Sequence, residues 1–199
     1  AWEEDRPFAD AEDTEELCRL IEQYGYVIAA KHKAGQPKIS GPEPETLKRL
    51  SGFCDLLLVE ADGARRLPLK VPAVHEPVIP EFADIVVGVT GLDCIGKKIC
   101  DIAHRPEDVA EFLRKKTDEP VMWEDVVKIA SSENGLRKNV GEKSFLVYFN
   151  KADVLESSGV AENIIKKCRE AGIEAVCGSL KKIMERQEIC RKFHGIRRK

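Results

Sequence analysis

Apolar residues concentrate in short runs separated by amphipathic stretches. The runs are residues 26–30 (YVIAA), 56–59 (LLLV), 84–89 (DIVVGV), 144–149 (SFLVYF) and 173–177 (IEAVC). Runs this short and this apolar predict strands buried in a parallel sheet. Between them the period changes to that of a helix. Leu17, Leu20, Ile21 and Tyr24 fall at i, i+3, i+4 and i+7, after a capping-box-like start at Asp13 and Glu16 and before a stop at Gly25. A short helix is predicted over residues 45–50. Another, over 106–116, opens on Pro106, Glu107 and Asp108 and closes on Lys115 and Lys116, which suits the helix dipole. Val109, Phe112 and Leu113 form its core face. Trp123, Val126, Val127 and Ala130 mark the next helix, and Val160, Ile164, Ile165 and Cys168 a further one that ends near Gly172. Helices alternating with strands predict an α/β fold with a mostly parallel sheet flanked by helices.

The remaining stretches are connections. Residues 1–10 read as acidic and irregular, although Trp2 and Phe8 give them something to pack. Residues 31–44 form a loop rich in Lys, Gly and Pro, with Lys38, Ser40 and Gly41. Pro68, Pro72, Pro77 and Pro80 exclude a regular helix or a central strand, so the segment ARRLPLKVPAVHEPVIP is a stiff extended loop. Residues 131–141 are a polar connection broken by Gly135 and Gly141. The tail, 181–199, reads as a basic helix that becomes a polar end, with Arg197, Arg198 and Lys199 a solvated terminus. The whole chain is expected to be one α/β domain, 1–199, with a helical excursion at about 104–141.

Composition narrows the function classes. The 199 residues are 43% hydrophobic and 34% charged, enough for a core in a soluble chain. A formal net charge of -3 argues against a nucleic-acid partner. No apolar run approaches the roughly 20 residues that a membrane helix needs. The seven cysteines form no C-x-x-C pair, which fits reduced thiols and a cytoplasmic location better than disulfides or a zinc site. His32, His75, His104 and His194 have no metal-ligand spacing.

Two constellations carry candidate chemistry. The run 56–59 is followed by Glu60, Asp62 and Gly63, and ligands in open parallel sheets bind beyond the carboxyl ends of the strands. Carboxylates there commonly hold Mg²⁺ beside a nucleotide phosphate, so Asp62, with Glu60, is the candidate catalytic and Mg²⁺ pair; the plainer reading is a strand that ends in solvated acids. The loop after it carries Arg65, Arg66, Lys70, His75 and Glu76, and reads equally well as a cover over a sheet edge or as a substrate or phosphate loop. The second constellation is Asn150-Lys151-Ala152-Asp153 (N-K-x-D) at the end of run 144–149. Asp153 can accept hydrogen bonds from N1–H and N2–H of guanine, a donor pair that adenine lacks. Lys151 can lay its stem along the base, Asn150 can tie neighbouring loops, and a backbone N–H near Ser179 can reach the guanine O6.

Gly91 to Lys97 matches G-x-x-x-x-G-K, but Lys98 stands where a phosphate loop has Ser or Thr, and no clear helix follows. It is read as a false match. No glycine-rich phosphate loop precedes residue 56 either, which predicts a nucleotide-binding core without its N-terminal phosphate-loop unit, that unit being either upstream of Ala1 or lost.

The string VEADGARRLPLKVPAVHEPVIP, with VVGVTGLDCIGKK and HRPEDV after it, resembles the YqeC family, accessory proteins of selenium-dependent molybdenum hydroxylases. The resemblance implies a P-loop NTPase-like fold and a role in maturing or inserting a selenium-containing molybdenum centre. It places Glu60 and Asp62 at the acid-bearing end and makes Gly63, Arg65, Lys70, His75 and Glu76 the signature loop. The expected function is therefore a guanine-nucleotide-binding accessory protein, using Mg²⁺ with GTP or GDP and partnered by a molybdenum hydroxylase or its cofactor-maturation proteins. NTPase activity is expected only where a phosphate loop is supplied. The alternative is a non-enzymatic docking or carrier module that contacts its client through the loop around His75 and Glu76. Selenium handling by Cys94 or Cys100 is a weaker third reading, because isolated cysteines beside a strand end are more often inert.

Overall fold

The structure, a computed structural model, describes residues 6–32 and 39–184, and these fall into two units, up to Val59 and from Glu60. Trp2, Lys38, Cys190, His194 and the end of the basic tail lie outside the described residues.

In the first unit, β1 (Phe8–Asp10) pairs in parallel with β2 (Ile28–His32), and β2 pairs antiparallel with β3 (Ile39–Ser40). Helix α1 (Thr14–Tyr24) starts where the Asp13 side chain accepts from the Glu16 amide and stops at Gly25, whose φ of 76° suits glycine. It buries Leu17 and Leu20 against Ala9, Ala11 and Leu50, the last of these on α2 (Pro44–Leu50). Residues 1–10 are thus not wholly irregular: a three-residue strand is too short to show a period of two.

The second unit is built on a parallel sheet ordered β5–β7–β8, from β5 (Ile85–Gly91), β7 (Ser144–Asn150) and β8 (Glu174–Cys177). A two-residue parallel pair joins β4 (Leu69–Lys70) to β6 (Ala103–His104). Helices α3 (Ile99–Ile102), α4 (Pro106–Leu113), α5 (Trp123–Ser131) and α6 (Ser158–Glu170) complete the unit. One core cluster holds Val147 and Phe149 of β7, Val126 and Ile129 of α5, and Ile164 and Cys168 of α6. Val109 and Leu113 of α4 join it, and Phe112, Trp123 and Val127 pack on it partly buried, close to the expected helix faces.

Two further expectations are corrected. Residues 56–59 form no strand; Leu56 and Leu58 are 73% and 83% exposed. An apolar run is held as a strand only by a hydrogen-bonded neighbour, and among the described residues none pairs with it. Immediately after it, the Ala61 carbonyl is taken by the Val78 amide, so the chain turns into the proline-rich loop. Glu60 and Asp62 consequently stand on an irregular segment rather than at a strand end. Secondly, within its own unit and among the described residues, β5 buries one face. Gly88 and Thr90 are buried, whereas Ile85, Val87 and Val89 on the other face are exposed.

Candidate functional site

Three consecutive positions of the sheet deliver their loops to one edge. Gly91 closes β5 and stands in register with Asn150 at the end of β7, while Phe149 pairs with Cys177 at the end of β8. Side chains beyond these residues therefore emerge together at the carboxyl end of a parallel sheet, where α/β folds place ligands.

The loops are then tied by specific bonds. Asn150 Oδ1 accepts from the Lys151 amide at 2.8 Å and from the Leu180 amide at 3.1 Å. The Ala152 amide donates to the Gly178 carbonyl at 2.9 Å, and the Gly178 amide donates to the Phe149 carbonyl at 2.9 Å. Lys151 takes a left-handed backbone, φ 61°, which turns the chain into the short 3-10 helix Ala152–Val154. Its ammonium reaches Asp93 Oδ2 at 2.7 Å. The Asp153 carboxylate accepts from the Ser179 hydroxyl, and this bond, helped by Lys182 and Lys181, holds its pKa below the usual value. So Asn150, Lys151, Asp153 and Ser179 are gathered at one edge. An ionised, solvent-facing Asp153 is the form that can accept two N–H donors.

The signature loop forms a second cluster. The Lys70 ammonium, buried with 6% of its side chain exposed, pairs with Asp62 Oδ1, donates to the Gly63 carbonyl at 2.9 Å and lies 2.9 Å from Glu76 Oε2. Glu76 also accepts from the Ala73 amide at 2.9 Å and pairs with Arg105. Burial alone would raise the Glu76 pKa, but the bonds from Arg105, the Ala73 amide and Lys70 override it and hold this carboxyl well below the carboxylate range. Burial lowers the His104 pKa, and Arg105, Lys70 and Arg65 lower it further.

Asp62, Gly63, Lys70 and Glu76 are therefore brought together, and all three ammonium protons of Lys70 have acceptors. Glu60 and Arg65 are not part of this network, and His75 meets only its edge, Nε2 lying 4.0 Å from Glu76 Oε1. Glu60 is exposed and makes no hydrogen bond or ion pair among the described residues, although its Oε1 lies beside Gly63. Arg65 is exposed, in a turn closed by the Leu67 amide on the Ala64 carbonyl, with positive φ at Arg65 and Arg66. The His75 side chain is 80% exposed. The loop's backbone is pinned instead by Lys138, donating to the Ala73 and Val74 carbonyls, and by Asn139, donating to the Pro77 carbonyl.

As for Mg²⁺, no group of three or more His, Cys, Asp or Glu among the described residues could cage a metal. Asp62 could offer it one carboxylate oxygen: Lys70 takes Oδ1, and Oδ2 accepts no hydrogen bond from the described residues. The G-x-x-x-x-G-K match forms a 3-10 helix at Leu92–Cys94 and a turn, followed by the four-residue α3, which is not a phosphate cradle. Burial pushes the Cys94 thiol up to about 12, and burial with Asp101 raises that of Cys100, so neither is an activated thiolate.

Sequence reasoning missed Asp93 and Arg105. Asp93 lies in T-G-L-D, directly after the strand beside β7. A short acid at that position was the available signal, obscured by the phosphate-loop match around it. Arg105 lies in HRPEDV, whose cation precedes a helix-initiating proline.

Among the described residues, no helix is long and apolar enough to cross a membrane. No solved structure matches the chain. A curated Escherichia coli (strain K12) protein, "Uncharacterized protein YqeC", is 32% identical over 165 residues, covering 81% of this chain; the chain spans 64% of that relative's length. The family model described as "YqeC protein" matches residues 3–107. The chain belongs to the YqeC family.

Proposed function

We propose that the chain is a guanine-nucleotide-binding, NTPase-like accessory protein that serves the maturation or insertion of a selenium- and molybdenum-containing cofactor in a hydroxylase. The observation that carries the nucleotide part is the N-K-A-D loop. Its Asn150 side chain ties two loops together, and its Asp153 carboxylate is ionised, solvent-facing and oriented by Ser179. In this reading Asp153 accepts from N1–H and N2–H of guanine, and Lys151 supports the base with its stem. Adenine, offering one acceptor and one amino group on that edge, leaves Asp153 without its donor pair and is disfavoured. Asp62 would hold Mg²⁺ jointly with the phosphates, and the ion would neutralise phosphate charge. Hydrolysis needs a phosphate cradle, which the described residues do not supply. Titration with fluorescent GDP and ADP in the presence of Mg²⁺ tests the reading: tighter GDP binding is expected, and equal affinities would refute base selection.

The hydroxylase role rests on the family resemblance of the signature loop. Its geometry favours contact with a protein client as a second reading. Val74 is 94% exposed and Val78 67%, on a proline-stiffened backbone fastened by Lys138 and Asn139. Apolar side chains on a rigid loop lose little entropy on binding. Val74→Asp is expected to abolish co-purification with a molybdenum hydroxylase while leaving nucleotide affinity unchanged. Undiminished co-purification would exclude this contact.

A further inference from the structure

We infer that Asp93 is a positioning residue of the nucleotide site, holding the Lys151 stem flat as a platform for the base; this rests on the guanine-nucleotide reading above. Three observations converge. First, the Lys151 backbone is fixed independently of its side chain, by its left-handed φ of 61° and by the bond from its amide to Asn150 Oδ1. Secondly, the far end of the side chain is fixed by Asp93 Oδ2 at 2.7 Å. A lysine stem anchored at both ends presents its methylenes in a single arrangement, whereas a free one loses rotamer entropy when a base stacks on it.

Thirdly, the backbone fixes Asp93 from its other side. Its Oδ1 is buried and has no hydrogen-bond partner. It lodges over Gly91 so closely that a Cβ built there would stand 2.5 Å from Oδ1 and 2.8 Å from Pro68 Cβ. Gly91 itself is held by its bond to the Pro68 carbonyl at 3.0 Å and by its register with Asn150. A desolvated carboxylate oxygen without a donor is unfavourable, and Lys151 is the one cation within ion-pair distance of Asp93 among the described residues. The pair is thus defined by the steric fit at Gly91 as much as by charge. It points the amine toward the β5 loop, so Lys151 acts on the nucleoside and not on the phosphates.

The test uses the full chain, guanosine and GDP, with binding followed by amide NMR shifts at residues 150–153. Asp93→Asn is expected to weaken both ligands by the same factor, about tenfold. Equal loss for guanosine and GDP separates a nucleoside contact from a phosphate contact. Asp93→Glu keeps the charge but not the fit over Gly91, and recovers only part of the affinity lost in Asp93→Asn. Gly91→Ala reproduces the loss by displacing the Asp93 carboxylate. In a double-mutant cycle, Asp93→Asn combined with Lys151→Met loses no more than Lys151→Met alone, because Asp93 acts through Lys151. If the wild type binds and Asp93→Asn binds equally well, or if the two losses multiply, the inference is overturned and the nucleotide reading stands. If the wild type shows no guanosine-dependent shift, both fall.

Discussion

Lys70 Nζ lies 2.9 Å from Glu76 Oε2, with only 6% and 19% of the two side chains exposed. This pair explains why the most distinctive string in the sequence combines acids, cations and prolines. The signature loop is a polar staple: Lys70 gathers Asp62, the Gly63 carbonyl and Glu76, and Glu76 brings in Arg105 of the H-R-P-E-D-V segment. Asp62, Lys70 and Glu76 hold the loop in shape, while Glu60, Arg65 and Arg66 stay exposed beside a tip able to meet a partner.

Removing one member of such a network leaves buried charge uncompensated. Lys70→Ala is expected to destabilise the second unit by about 3–5 kcal/mol, measured by urea unfolding. A change below about 1 kcal/mol would mean that the cluster relaxes into solvent and is not a staple.

The same cluster predicts acid sensitivity. The folded-state pKa of Glu76 lies far below its ordinary value of 4.5. Its contribution to stability is complete above that value and is lost progressively as pH falls below it, because the unfolded chain takes up the proton first. His104, lowered from 6.5, acts in the same direction, beginning as pH falls below 6.5. Glu76→Gln is expected to flatten the stability–pH curve below about pH 4.5. An unchanged slope in that range would assign the acid sensitivity elsewhere.

Gly178 and Tyr148 make a steric pair beneath the Ser179 loop. A Cβ on Gly178 would stand 2.5 Å from the Tyr148 phenol oxygen, which is buried without a hydrogen-bond partner. Gly178→Ala is expected to destabilise by about 1–3 kcal/mol through overpacking. Tyr148→Phe, which removes only an unsatisfied oxygen, should be neutral or stabilising and should rescue Gly178→Ala. Thermal unfolding of the double variant checks this; no rescue would place the strain in the backbone.

Asn150 supplies a side-chain link between the β7 and β8 loops, beside the backbone bond from Ala152 to Gly178. Asn150→Ala should speed hydrogen exchange at the Leu180 amide while leaving exchange at Val147, in the buried strand, unaffected. Unchanged exchange at Leu180 would show that the loop is held without the side chain.

Much of this was legible in the sequence wherever local chemistry and tertiary packing agree. Asp13 and Gly25 bound α1 because a side-chain cap and a left-handed stop act within a few residues. The N-K-A-D loop follows β7 as expected because β7 is central in its sheet and buries Val147 and Phe149. Residues 56–59 misled because apolarity signals a wish for burial and not a partner to supply it. Strands β4 and β6, two residues each, have no periodicity to detect. The Asp93–Lys151 contact spans 58 residues, a distance that only the register of β5 on β7 brings together.

The most direct measurement of the central claim is a nucleobase exchange at Asp153. Xanthine carries a carbonyl where guanine carries the N2 amino group, so Asn can donate where Asp must accept. Binding of GDP, XDP and ADP to the wild type and to Asp153→Asn should show GDP preferred by the wild type, XDP preferred by the variant, and a change in the GDP-to-XDP ratio of at least about tenfold. An Asp153→Asn variant with the same order of preference as the wild type would contradict the claim that this edge of the sheet reads guanine.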